Sequence, residues 1–308
     1  MTIWKYGNMS LFFKNKLPPP VKKGGRIGIV ATAGPVTREE LEPGIEELHK
    51  AGFDPVLAKN LYYNKGYLAG TDEDRAAALN EMMARQDIQA VFCARGGYGS
   101  MRLLSSFPFG SFGRKPKFII GYSDVTAILN AVLAKTGVIG IHGPSVRSLG
   151  NGDTVSRDLL INFITNPSTI EYNITDFVTL AAGIAKGRLV GGNLTVFSRL
   201  IGTPFMPPLK NSVLFLEDTN EPVYRIDRMI THLILSKVLT KISGIILGRF
   251  TNCGENSGLK ELFSETARNF NIPCLMGLEA GHEGVNLPLP IGAQSVLDCT
   301  NGKLTCFV

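Results

Sequence analysis

The sequence has little of what usually marks a metal centre, a disulfide framework or an aromatic binding face. Its five cysteines, Cys93, Cys253, Cys274, Cys299 and Cys306, are odd in number, show no CxxC spacing and mostly lie in apolar runs. They read as reduced core residues. The four histidines, His49, His142, His232 and His282, are far apart, with no HExxH pattern and no Cys/His cluster, so no metal is expected. No apolar stretch approaches the ~18 residues of a membrane span. Leu11-Phe12-Phe13 is shorter than the roughly 7 to 15 apolar residues of a secretory signal, and no small-residue cleavage site follows it. A cytoplasmic protein without a membrane partner is the expectation.

Charge of one sign is also missing from most of the chain. The formal net charge of +6 comes from 32 Lys+Arg against 26 Asp+Glu. Residues 1–26 hold six basic side chains (Lys5, Lys14, Lys16, Lys22, Lys23, Arg26) and no acid, so the remainder is formally neutral. There is no basic stretch interleaved with aromatics and no zinc-finger or helical DNA-reading pattern, which excludes nucleic acid as an expected partner. Residues 1–24 read as a basic, solvated extension that runs through Pro18-Pro19-Pro20.

What is present is globular in composition, with 44% hydrophobic and 19% charged residues over 308 positions, enough for one large or two ordinary domains. From Arg26 onward short apolar runs alternate with amphipathic stretches: strands at 26–32, 54–58, 89–94, 117–122 and 140–142, helices at 37–51, 72–86, 99–106 and 124–135. Continuously apolar strands separated by helical segments indicate a parallel sheet covered on both faces. Residues 25–165 are therefore expected to form an α/β domain, 166–186 a linker, and 187–308 a mixed α/β domain. The second half offers strands at 212–217, 244–248 and 273–277, and a hairpin about Asn301-Gly302.

In open α/β sheets chemistry gathers at the carboxyl ends of strands, so the loops there are the first place to look. Arg95-Gly96-Gly97-Tyr98-Gly99-Ser100 is a glycine-rich strand-to-helix turn whose backbone N–H groups can face an anion or oxyanion; it lacks the spacing of nucleotide-binding glycine motifs. Ser123, in FIIGYSDV, sits where a strand meets a helix, a place that exposes a hydroxyl beside the helix's first N–H groups. Its plain alternative is a helix N-cap. A serine nucleophile needs a base and a group to orient that base. His282 follows the PCLMG strand, with His142 as a rival base, and Glu217 and Asp218 end the SVLFL strand as candidate orienting acids, Glu217 reading as the more buried.

The segments ATAGPV, RGGYGS, IGYSDVTA, GIHGPS, GRLVGGNLT, LFLEDTNEPVYRIDRM and AGHEGVNLPLPIGA, in this order over roughly residues 25–305, resemble the LD-carboxypeptidases, the murein tetrapeptide carboxypeptidase family of serine peptidases. The resemblance implies an N-terminal α/β domain and a C-terminal mixed domain with a barrel-like part, an active site in the groove between them, and a homodimer. It places the nucleophile on Ser123, the glutamate on Glu217 and the histidine on His282, with the backbone N–H groups of Asp124 and Gly97 as the oxyanion hole. Tyr122 stands where phenylalanine is common in the family.

The implied reaction releases the terminal D-alanine from murein tetrapeptides during peptidoglycan recycling and needs no cofactor. A carboxypeptidase must also hold a free terminal carboxylate, for which a guanidinium is suited. Arg95 is the candidate, with Tyr98 beside it as a second substrate contact; the plain alternative pairs Arg95 with an acid such as Asp124. A competing reading is a microcin-self-immunity-like peptidase cutting an amide between a peptide or amino acid and a nucleotide. Such an enzyme is expected to offer an aromatic stack, and the sole tryptophan is Trp4. A non-catalytic muropeptide-binding protein is a third reading.

Overall fold

A computed structural model describes residues 16–151 and 153–308, so residues 1–15 of the basic extension lie outside the described part. The first half builds β1 (Arg26–Val30), α1 (Arg38–Lys50), β2 (Asp54–Leu57), α2 (Asp72–Ala84), β3 (Ile88–Cys93), α3 (Phe109–Arg114), β4 (Phe118–Gly121), α4 (Thr126–Thr136), β5 (Gly140–His142), α5 (Val146–Asn151) and α6 (Thr154–Thr165). Helix starts follow from local chemistry. At α1 the Thr37 hydroxyl accepts the Glu40 N–H at 3.3 Å while the Glu40 carboxylate accepts the Thr37 N–H at 3.0 Å, and Thr71 with Asp74 repeats the device at α2. β1, β3 and β4 bury their apolar residues on both faces, as parallel strands between helix layers must.

The second half adds β6 (Ile170–Asn173), β7 (Val178–Ala181), β8 (Ile184–Asn193), α7 (Leu194–Ser198), β9 (Ser212–Thr219), α8 (Val223–Leu235), β10 (Gly244–Thr251), α9 (Asn256–Phe270), β11 (Cys274–Met276), β12 (Leu289–Ile291), β13 (Gln294–Asp298) and β14 (Lys303–Phe307). Two sheets result, with strand orders β12-β5-β4-β3-β1-β2 and β6-β14-β13-β8-β9-β10-β11-β7. The first is parallel except for β12; the second has a parallel centre, β8 to β11, and antiparallel flanks. This is the two-part α/β architecture expected from the alternating pattern. The hairpin pairs Asp298 with Lys303 around Asn301-Gly302.

Three segments differ from expectation. The stretch 166–186 carries the edge strands β6 and β7, which pair with β14 and β11. Both are half-exposed, with only Tyr172 of β6 buried, so they lack the apolar run of a central strand. β12 crosses back to pair with β5 on the edge of the first sheet, with Pro290 accommodated on an edge strand. Residues 16–24 are not a free arm: Lys16 exchanges backbone hydrogen bonds with Gly137 and Ile139 at 2.9 and 3.0 Å, and Val21 is buried with its N–H on the Ile164 carbonyl.

The two sheets meet where β8 ends. Gly191 and Gly192 have φ of 116° and 132°, and a Cβ on Gly192 would stand 2.5 Å from Thr126 Oγ1. Only glycine allows that approach of β8 to α4. The Asn130 side chain then hydrogen-bonds both backbone groups of Gly191, at 2.8 and 3.2 Å, and the Asn193 N–H reaches Thr126 Oγ1 at 3.0 Å. Among the described residues no helix is long and apolar enough to cross a membrane.

Candidate active site

β4 ends at Gly121, and two residues later Ser123 takes φ 61°, in the left-handed region that a non-glycine residue rarely occupies. It opens a single 3-10 turn, Ser123–Val125, that runs into α4. The Ser123 side chain makes no capping hydrogen bond, so the N-cap alternative does not hold. A half-buried hydroxyl on a strained strand-to-helix elbow is the arrangement that presents a nucleophile.

The glycine turn after β3 lies against this elbow. A Cβ on Gly96 would stand 2.7 Å from Ser123 Cβ and 2.9 Å from its Oγ, and one on Gly97, where φ is 126°, would stand 2.8 Å from Gly34 N. The Gly34 N–H donates to the Gly96 carbonyl at 3.2 Å, tying the turn to the loop after β1. Arg95 is half-buried and its guanidinium donates to the Pro35 carbonyl at 3.3 Å. It does not pair with Asp124, whose buried carboxylate instead accepts the Ser100 N–H at 2.7 Å. Burial pushes the Asp124 carboxyl up, against the hydrogen bonds it receives from Ser100 and Gly99. Tyr98 is 53% exposed, its ring edge-on to Tyr67 at 5.7 Å.

From the second half, β9 supplies Glu217, fully buried, and the loop after β11 supplies His282. Their contact is short, with His282 Nδ1 2.7 Å from Glu217 Oε2. Burial works against a charged imidazole here, but the hydrogen bond to Glu217 and the negative charges of Glu217 and Asp218 outweigh it and raise the His282 pKa above 6.5. Strand periodicity separates the two acids. Asp218 faces the other way and accepts from Asn193 Nδ2 at 2.9 Å and from the Thr195 N–H and hydroxyl at 2.9 and 2.8 Å, capping α7.

Tyr122 bridges the halves: its ring stands 5.0 Å from that of His282 and next in sequence to Ser123. Tyr122 thus carries the link from the Ser123 elbow to His282, and no hydrogen bond joins Ser123 and His282 in this structure. Apo sites often hold such pairs apart until substrate is bound. The rival base His142 is buried in the core, 4.9 Å from the Phe215 ring and 6.1 Å from Tyr122. Burial and the neighbouring His282 hold its pKa down to about 3, with Asn286 pulling weakly the other way, so it stays neutral.

Asn286 was not singled out from sequence. Its Oδ1 accepts the Gly281 N–H at 2.9 Å, fixing the residue before His282, and its own N–H donates to Ser156 Oγ of α6 at 2.9 Å. No spacing marks it, since both contacts depend on how the loop folds back. Among the described residues no group of three or more His, Cys, Asp or Glu is placed to hold a metal.

Residues 27–143 match the LD-carboxypeptidase N-terminal domain and residues 186–297 the LD-carboxypeptidase C-terminal domain. The chain is 32% identical over 297 residues to a probable murein peptide carboxypeptidase of Bacillus subtilis, covering 94% of this chain and 93% of that protein. Its fold superposes with TM-score 0.80 and 28% identity on a muramoyltetrapeptide carboxypeptidase from Oxalobacter formigenes, over 91% of this chain and 97% of that one. It also superposes with TM-score 0.88 and 27% identity on MccF in complex with glutamyl sulfamoyl guanosine, over 95% and 98%; MccF is the microcin C7 self-immunity protein of Escherichia coli. With both halves matched in order and relatives aligned nearly end to end, the chain belongs to the LD-carboxypeptidase family.

Proposed function

We propose that this protein is a serine LD-carboxypeptidase that releases the terminal D-alanine from murein tetrapeptides, acting in the cytoplasm as a homodimer. The observation that carries the reading is a strained Ser123 elbow whose preceding residue, Tyr122, sets its ring 5.0 Å from a histidine held by a buried glutamate at 2.7 Å. With Nδ1–H donated to Glu217, His282 Nε2 is left as the base. It takes the Ser123 proton as the hydroxyl oxygen attacks the carbonyl carbon, the N–H groups of Asp124 and Gly97 receive the oxyanion, and His282 returns the proton to the departing amine of D-alanine. Water then cleaves the ester by the same route. Arg95 and Tyr98, on the turn facing the nucleophile, take the substrate's terminal carboxylate and stem.

The murein peptide and muramoyltetrapeptide relatives support this substrate. A second reading, cleavage of an amide on a nucleotide-linked amino acid, draws on the likeness to MccF and on the exposed Tyr67–Tyr98 pair as a stacking edge. The test is alanine release by mass spectrometry from a tetrapeptide ending in D-alanine, beside a pentapeptide, an all-L analogue and the Ser123→Ala protein. Release from the tetrapeptide alone, lost with the serine, is expected. Release from none of them, with turnover of an aminoacyl sulfamoyl nucleoside, would replace this reading by the second. Light scattering of the purified protein checks the dimer.

A further inference from the structure

In the reaction proposed above, the glycine turn after β3 must hold an N–H toward the Ser123 elbow on a backbone that glycine leaves loose. Gly97 and Gly99 take φ of 126° and 127°, which glycine reaches without strain but does nothing to hold. The anchors at its two ends therefore define the turn. At the front the Gly96 carbonyl accepts the Gly34 N–H at 3.2 Å. At the rear the Ser100 N–H donates at 2.7 Å to the carboxylate of Asp124, which lies 24 residues further along the chain. The Ser100 hydroxyl donates to Thr32 Oγ1 at 3.1 Å, tying the same end to the segment after β1.

A carboxylate is a demanding anchor at this depth. Asp124 is only 4% exposed, and a buried carboxylate is destabilising unless hydrogen bonds and a nearby positive charge compensate. Here Ser100 and Gly99 supply the hydrogen bonds and the fully buried Arg75 supplies the charge. Two oxygens without a proton let one side chain accept from neighbouring N–H groups together, which an amide or a hydroxyl does less well. Both donors belong to the turn that carries Gly97.

Residue 124 thus acts twice at the proposed oxyanion hole: its own N–H is one donor, and its carboxylate grips the turn that supplies the other. We propose that the Asp124 carboxylate is a positioning group that sets the spacing between the N–H groups of Asp124 and Gly97, so that transition-state stabilisation depends on a side chain that contacts neither substrate nor base. This rests on the reaction proposed above for the same site. Every substitution except proline keeps the backbone N–H at position 124, so oxyanion stabilisation lost in Asp124→Ala reports displaced donors and not a missing one.

Two rates test it. The first is phosphonylation of Ser123 by a fluorophosphonate, which needs no particular substrate: the hydroxyl oxygen bonds to phosphorus, fluoride leaves with the electrons of the P–F bond, His282 takes the proton, and the phosphoryl oxygen enters the oxyanion hole. The second is turnover of tetrapeptide. Asp124→Ala is expected to slow labelling by on the order of 10² and to lower kcat by a similar factor, with KM changed less than about threefold and the pH inflection set by His282 unmoved. Asp124→Asn keeps one acceptor in nearly the same shape; it is expected to recover about tenfold of the loss, and it carries the test if the alanine protein does not fold. Labelling at the wild-type rate in the alanine protein, or in the asparagine protein where only that one folds, overturns the proposal. So does a loss confined to KM or to the melting temperature. Labelling that depends on Asp124 in a protein that releases no alanine upholds the clamp and rejects the reaction, and a wild-type Ser123 that resists phosphonylation overturns both.

Discussion

The Cα of Gly96 faces Ser123 so closely that a methyl group added there would stand 2.7 Å from Ser123 Cβ and 2.9 Å from Oγ. The contact joins the turn after β3 to the elbow after β4, so the hydroxyl and the backbone N–H groups of the turn are held as one unit. Gly96→Ala must push Ser123 aside or lift the turn. A misplacement of about 1 Å costs on the order of 10² in turnover, while overpacking costs about 1–3 kcal/mol of stability. The expected outcome is a fall in kcat far larger than any rise in KM, in a protein that still melts cooperatively, measured by steady-state kinetics with tetrapeptide and by thermal unfolding.

The 2.7 Å contact between His282 and Glu217 sets a pH dependence. In the proposed reaction His282 acts as the base only when neutral, and its pKa is raised above 6.5, so kcat/KM is expected to rise with pH through an inflection above histidine's ordinary value. Glu217→Gln removes the charge that favours the imidazolium, so the inflection moves down, and the lost orientation lowers kcat by on the order of 10³ to 10⁴. Stability runs in the opposite sense to activity. The favourable protonation of folded His282 is fully present below the unfolded pKa and is lost as pH rises through the folded one, a contribution that Glu217→Gln abolishes. A pH–rate profile that keeps its inflection in Glu217→Gln would detach the histidine from the glutamate.

Much of the fold was legible in the sequence because parallel strands advertise themselves as continuous apolar runs, and β4 and β9 end in the loops and residues of the candidate site. That logic pointed to Ser123, Glu217 and His282 as candidates without knowing any distance, and the structure brings the last two into contact. It failed where burial is not written in composition. β6 and β7 are half-exposed edge strands and read as a linker; β12, rich in proline, gains its partner only when the chain returns to β5. Glu217 reads in the sequence as more buried than Asp218, but both are buried and it is strand alternation that turns only Glu217 to His282; the positive φ of Ser123 and the grip of Asn286 on Gly281 are three-dimensional facts with no local signature.

His142 makes the fold sensitive to acid. Its imidazole is fully buried, with neither ring nitrogen in a hydrogen bond among the described residues, and its pKa lies at about 3. Above the unfolded value of about 6.5 it is neutral in both states and costs nothing. Below that value the unfolded chain binds a proton that the folded one refuses, so stability is lost as pH falls towards the folded pKa, by about 2–3 kcal/mol between pH 6.5 and 4.5. His142→Leu lacks this term. Denaturant unfolding at the two pH values should show a drop in the wild type that is smaller by about that amount in the variant, and equal drops would mean that the imidazole is protonated in place.

Arg75 is the largest fully buried polar side chain among the described residues and sits beneath the turn that lies against Ser123. It donates to the Thr32 carbonyl at the end of β1 and pairs with Asp72, while Thr32 Oγ1 accepts from Ser100 Oγ at 3.1 Å and Ser100 N–H donates to Asp124 at 2.7 Å. A Cβ on Gly99 would stand 2.6 Å from Arg75 Nη1, so the guanidinium also fills the space under the turn. Arg75→Met leaves the Thr32 carbonyl and part of Asp72 without their partner, but Asp72 keeps Arg102 and a buried Nε–H with no acceptor disappears. The expected loss is therefore about 2–3 kcal/mol, below the roughly 3–5 kcal/mol of a buried pair broken outright. Because Arg75 touches neither Ser123 nor His282, kcat should fall through a displaced Gly97–Ser100 turn, and the pH inflection set by His282 should stay where it is. A shifted inflection in Arg75→Met would show that the network reaches the histidine and does more than support the turn.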